Sequence, residues 1–219
     1  MTKSTTPTKT LTLMAMLAAM AYVAMLVTRP LPAVAGFLSY DLKDVVVVIA
    51  GFMLGPVPAL LITLVVSLVE MLTVSGTGPI GLIMNVLSTS AFALPAALMY
   101  RNQRSLKRAA LGLGLGVLCM TVVMLAWNYI ITPLYMGVSR SVVAGMLLGT
   151  FLPFNLFKGG LNAGITMLIY KPLMQVLRRS GLLPRRADGG QPHRFSLPAT
   201  LLSVFAAVTC AVVLFLMMK

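Results

Sequence analysis

The chain has 219 residues, 59% of them hydrophobic and 10% charged, and a formal net charge of +13. A soluble domain is nearer to roughly 45–50% apolar and 25% charged, so a single soluble core is excluded, and a bilayer spanned by helices is the setting that satisfies this much apolar chain. In a soluble protein +13 would suggest nucleic acid; here the placement of the charge along the chain speaks against it.

Crossing about 30 Å of hydrocarbon takes about 20 apolar residues. The first predicted span covers 11–28. Its end carries Ala33-Val34-Ala35, which resembles a signal-peptidase site, but the run exceeds a signal h-region of about 7–15 residues and further spans follow. The stretch 45–74 is too long for one span and too short for two, and it breaks at Gly55-Pro56-Val57-Pro58. It is expected to form a short helix near 44–54 and a longer one near 57–74. Further spans are predicted near 80–100, 109–131 and 149–176, and a last apolar run covers 197–218. Cys119 and Cys210 both lie inside apolar runs and read as small hydrophobes rather than a disulfide or metal pair.

Lys and Arg concentrate on the cytoplasmic side of membrane proteins. With the N-terminus inside, the inner segments hold Lys3, Lys9, Arg101, Arg104, Lys107, Arg108, Lys171, Arg178, Arg179, Arg185, Arg186 and Arg194, twelve of the 17 basic residues. Arg29, Lys43, Arg140 and Lys219 fall outside, and Lys158 falls within a span. The asymmetry requires the break at Gly55-Pro56. The basic charge is thus a topology signal, and no nucleic acid partner is expected.

In this topology the unusual polar residues gather at the outer end. The loop 36–44 carries Ser39, Tyr40, Asp41, Lys43 and Asp44. The loop 73–81 is rich in Ser, Thr and Gly, and Asn85 follows about one turn into the fourth helix. The fifth helix leaves through Trp127-Asn128-Tyr129 and reaches Tyr135. The sixth enters through Pro153-Phe154-Asn155, and Asn155, Lys158 and Asn162 share one helix face. Polar groups at membrane depth face a cavity or one another. Lys158 has three readings: a ligand contact, a snorkelling side chain, or a partner of Glu70, Asp41 or Asp44. The asparagines equally suit interhelical hydrogen bonds. Aromatic walls with a few amides suit a flat heteroaromatic ligand.

Catalytic chemistry has little to work with. The only histidine, His193, lies in the basic tail, and no phosphate-binding Gly-x-x-x-x-Gly-Lys-Ser/Thr loop is present. Asp41 and Asp44, the only close acid pair, are expected to cap the next helix rather than form a dyad. No enzyme activity, cofactor or metal site is expected.

Five segments together resemble the riboflavin-specific S component of energy-coupling factor (ECF) transporters. They are Phe37-Leu38-x-Tyr40-Asp41-x-x-Asp44; Gly51-Phe52-x-x-Gly55-Pro56; Thr73-x-Ser75-Gly76-x-Gly78-Pro79-Ile80-Gly81-x-x-Met84-Asn85; Asn128-Tyr129-x-x-x-Pro133-Leu134-Tyr135-Met136-Gly137; and Pro153-Phe154-Asn155-Leu156-x-Lys158-Gly159. Tyr170-Lys171-Pro172-Leu173 closes the match, which covers roughly 11–177 in order.

The resemblance implies an all-α membrane protein: a six-helix S-component bundle over 1–177 in the cell membrane of a prokaryote, N-terminus cytoplasmic. It implies capture of riboflavin at the extracellular side, with FMN a further candidate ligand. Leu38, Tyr40 and Asp41 would belong to a loop covering the ligand. Asn128, Asn155 and Lys158 would hydrogen-bond it, with Asn85 and Tyr135 joining the site. The implied partners are a transmembrane coupling subunit (T component), two cytoplasmic ATPases and membrane lipid. Ala15 and Ala19 would supply the small-residue face that docks the coupling subunit, and toppling of the loaded bundle, driven by those ATPases, would deliver the ligand. The chain departs from the family in a basic linker, 178–196, and an expected extra transmembrane helix, 197–219. Rival readings are an S component for another vitamin, of the thiamine or biotin class, and a membrane scaffold or intramembrane enzyme.

Overall fold

A break at Gly55 organises the helices of this computed structural model, which describes residues 7–34, 36 and 38–179. Gly55 sits at φ 101° and ψ 178°, a backbone conformation that a side chain would strain. Pro56 follows at the first turn of the next helix, where its missing N–H costs nothing. The apolar stretch therefore divides into α2 (Lys43–Leu54) and α3 (Pro56–Thr73), as the sequence predicts.

The chain begins with α1 (Pro7–Thr28) and continues after α3 with α4 (Gly78–Asn102) and α5 (Leu106–Met136). It then runs through α6 (Arg140–Met146), a π turn (Leu147–Phe151) and α7 (Leu152–Arg179). Among the described residues five helical stretches are long and apolar enough to cross a membrane: Thr8–Thr28, Pro56–Thr73, Gly78–Asn102, Leu106–Met136 and Arg140–Tyr170. The 12 residues of α2 reach only about 18 Å. The expected helix over 197–219 and nearly all of the linker 178–196 lie outside the described residues.

The short α2 is the hub. Its Val45, Val47, Val48, Ile49, Ala50, Phe52 and Met53 are all buried, as expected of a helix that is apolar all round. It packs against α1, α3, α4 and α7. The outer helices show the opposite pattern. Leu61, Leu64, Val65, Leu68 and Leu72 of α3, and Leu111, Leu115, Leu118 and Val122 of α5, are exposed. Such stripes suit acyl chains rather than water.

Between α4 and α5 the helices approach closely through Gly112 and Gly116. A methyl group at Gly112 would stand 2.9 Å from the Ala96 Cα, and one at Gly116 would run into the Phe92 carbonyl oxygen. Small residues one helical turn apart substitute for a hydrophobic driving force that lipid cannot supply.

Two boundaries differ most from the sequence reading. The fifth helix continues past 131 to Met136 and ends on Gly137 at φ 66°. The last described span starts at Arg140 rather than 149, because α6 joins α7 through the π turn. Pro153 has no N–H to donate, and the π turn just before it absorbs the break in the ladder.

The two ends of the bundle differ. At one end Phe52, Tyr100 and Tyr170 cluster, Tyr170 edge-on to the other two rings, with the Tyr100 and Tyr170 hydroxyls 3.0 Å apart. This is the end where α4 finishes and α5 begins, bracketing Arg101 to Arg108. At the other end the Tyr22 hydroxyl meets the Thr73 hydroxyl at 2.8 Å, and the Arg29 guanidinium donates to the Val74 carbonyl.

Candidate ligand-binding site

At this second end the loop after α1 folds onto the bundle. Val34 and Leu38 pair as a single antiparallel bridge, with N–H···O distances of 2.9 and 3.0 Å. The bridge buries Leu38 against Val143, Phe151 and Phe154. Tyr40 and Asp41 then reach α7. The Tyr40 hydroxyl donates to Asn162 Oδ1 at 2.8 Å, and Lys158 Nζ donates to Asp41 Oδ2 at 3.2 Å. Asn162 Nδ2 donates to the Asp41 carbonyl at 3.3 Å. The loop is therefore strapped to one face of α7, the face predicted from the spacing of Asn155, Lys158 and Asn162.

The strap belongs to a larger buried cluster. Lys43 Nζ lies 2.6 Å from Glu70 Oε2 of α3 and 3.8 Å from Asp41 Oδ2. The Thr89 hydroxyl of α4 donates to Asp44 Oδ1 at 2.6 Å, and Asn162 Nδ2 approaches Asp44 Oδ2 at 3.3 Å. Three carboxylates and two ammoniums thus share the interior where α2, α3, α4 and α7 converge. Burial pushes the Asp41 carboxyl upward, but the Lys158 and Lys43 ammoniums beside it outweigh that and hold it below the usual carboxylate value.

Two sequence expectations are settled by this geometry. Lys158 does not snorkel: it is 7% exposed and pairs with Asp41. Asp41 and Asp44 do not cap α2. The cap position is Leu42, with no side-chain bond, because both carboxylates are drawn inward by lysines and by hydroxyl and amide donors. Lys43, placed by the sequence reading in an outer loop, is instead 2% exposed inside the bundle.

A separate small cavity, about 20 Å³, opens between the start of α4 and the end of α5. Thr77, Ile80, Gly81 and Met84 line one side, and Trp127, Asn128, Ile131, Thr132 and Tyr135 the other. That space holds about one water molecule, well below the roughly 300–1,000 Å³ of a small-molecule pocket, so a ligand would have to part these walls to enter. Asn128 is fully buried, its Nδ2 donating to the Met124 carbonyl at 2.7 Å and its Oδ1 accepting from the Thr132 hydroxyl at 2.9 Å.

The predicted site residues therefore fall into two groups. Leu38, Tyr40, Asp41 and Lys158 meet at the strap. Asn128 and Tyr135 line the cavity. Asn155 stands one turn before Lys158 on α7, its Nδ2 donating to the Phe151 carbonyl at 2.8 Å. Asn85 is half-buried on α4 and is not among the cavity-lining residues. Ala15 and Ala19 lie exposed on the outer face of α1. The sequence reading gave no role to Thr89 or Thr132, and it named Glu70 only as a partner for Lys158. The signal for the Lys43–Glu70 pair was there: a lone acid in an apolar span needs a cation in reach.

Comparison with known proteins gives concordant matches. The family model for the ECF transporter substrate-specific component matches residues 9–170. A Staphylococcus aureus (strain TCH60) protein named riboflavin transporter RibU is 32% identical over 177 residues, covering 78% of this chain and 93% of the relative. The Bacillus subtilis (strain 168) riboflavin transporter FmnP is 29% identical over 172 residues, covering 74% and 90%. The solved structure of an S component of a bacterial ECF transporter superposes with a TM-score of 0.67 at 32% identity, covering 78% of this chain and 99% of that one.

Proposed function

Because the chain belongs to the family of ECF transporter substrate-specific components, we propose that it captures riboflavin for an ATP-driven importer. The observation that carries the ligand is the 32% identity spanning 93% of a protein named as a riboflavin transporter. The chemistry of the cavity lining supports it. Trp127 and Met84 offer apolar walls for a flat ring system, and Asn128 and Tyr135 offer polar edges. The chain is a binding subunit rather than an enzyme.

Lys158 and Asn155 on α7, Asn128 and Tyr135 on α5 and Asn85 on α4 are the groups we assign to the vitamin, under the loop carrying Leu38, Tyr40 and Asp41. An ammonium has three donors, so Lys158 can hydrogen-bond a flavin carbonyl while keeping Asp41. FMN is the natural second ligand to try, since its ring system is the same.

The importer needs a T component and two ATPases, and the exposed Ala15 and Ala19 of α1 are the docking face we assign to the T component. The cavity lies at the end opposite the basic segment 101–108, which supports an outward-facing site and a cytoplasmic N-terminus.

The test is a titration of riboflavin with purified protein, followed by flavin fluorescence. Quenching that thiamine and biotin do not reverse is expected. Asn155→Ala and Lys158→Ala should lose it while keeping their helix content. Absence of quenching, or its reversal by thiamine or biotin, would assign the site to another ligand.

A further inference from the structure

Five helical threonines share one habit, from which Thr89, bonded across to Asp44, departs. Thr12, Thr63, Thr73, Thr121 and Thr166 each donate to the carbonyl oxygen four residues earlier, the usual back-bond of a hydroxyl in a helix. Thr132 has the same spacing available and does something else. Its hydroxyl donates to the side chain of Asn128, at 2.9 Å, while the Asn128 amide takes over the back-bond to Met124. Both residues line the cavity, and Thr132 is only 4% exposed.

A primary amide has two N–H donors and two acceptor lone pairs. Met124 takes one donor and Thr132 fills one lone pair. Turning the amide over would set its oxygen against the Met124 carbonyl oxygen, so Met124 fixes which way the amide points, and the Thr132 hydroxyl holds its oxygen in place. One N–H and one lone pair are left over. Asparagine reads adenine with this donor–acceptor pattern.

We infer that Thr132 is a positioning residue, whose hydroxyl fixes the Asn128 amide so that it presents one donor beside one acceptor to the ligand. The chemistry this pattern recognises is a ring carbonyl next to a ring N–H. The inference rests on the riboflavin reading, since the flavin ring carries such an edge.

The test compares wild type, Thr132→Val, Thr132→Ser, Asn128→Ala and the Thr132→Val/Asn128→Ala double variant in riboflavin titrations. Thr132→Val is expected to weaken binding about tenfold, the scale of one lost hydrogen bond. Thr132→Ser, which keeps the hydroxyl, should bind close to wild type. In the Asn128→Ala background Thr132→Val should have no further effect, because the two act as a unit. Discrimination between riboflavin and a derivative methylated at its ring N–H should shrink in Thr132→Val.

Unchanged binding in Thr132→Val overturns the inference, as does equal weakening with and without Asn128. Thr132→Ala stands in if the valine variant does not fold. If neither folds and Thr132→Ser does, the hydroxyl serves the helix rather than the amide and the inference falls. A wild-type protein that leaves riboflavin fluorescence unchanged overturns the riboflavin reading itself.

Discussion

Lys158 connects the two ideas about this protein, as a buried cation at membrane depth and as the residue that fastens the first loop through Asp41. The titration of its partner has a definite sign. The Asp41 carboxyl lies below its ordinary value of about 3.9. The stability it contributes is therefore fully present above that value and is lost as pH falls through the lower folded-state value. Thermal unfolding in detergent should show no Asp41-linked change between about pH 5 and 8, and an acid loss of stability that is smaller in Asp41→Asn. The Lys43–Glu70 pair makes a second prediction. Removing one partner strands a buried charge, so Lys43→Met should cost about 3–5 kcal/mol in unfolding measurements. Lys43→Met/Glu70→Leu should recover much of that. Lys158 was legible in the sequence because a lysine inside an apolar span stands out. Lys43 was not, because in one dimension it belongs to a polar loop, and only the packing of α2 on α3 draws it inside. Thr132 was invisible for another reason: a threonine in a helix is ordinary until its bond is seen to go elsewhere.

Helices here are held by close approach as well as by apolar burial. Gly112 and Gly116 let α5 lie against Ala96 and Phe92 of α4. Gly116→Leu should overpack that contact and cost about 1–3 kcal/mol or more, whereas Gly114→Leu, at a position with open space around it, should be tolerated; thermal unfolding in detergent distinguishes them. The apolar runs and the Gly55-Pro56 break mark out α1 to α5 in the sequence itself, since length in hydrocarbon and proline chemistry are both local. The start of the last described span was missed by about nine residues. Arg140, Ser139 and Ser141 read as loop, while in three dimensions they open a helix that buries Val143. That burial is a tertiary effect without a local signature.

At the scale of the whole molecule, the charge asymmetry and the site agree. The basic cluster at 101–108 and the cavity occupy opposite ends of α4 and α5, which is what a subunit that collects its ligand on one side and meets soluble partners on the other requires. The gathering of loop, α5 and α7 residues at one end of the bundle was readable as a topology argument. Their division into a strap and a neighbouring cavity was not, because side-chain pairing decides it. The most direct test is the visible absorption of the protein purified in detergent from cells, with no vitamin added. The account predicts a flavin absorption band that copurifies with the wild-type protein and is missing from Lys158→Ala. A colourless wild-type protein that also fails to quench added riboflavin would contradict it.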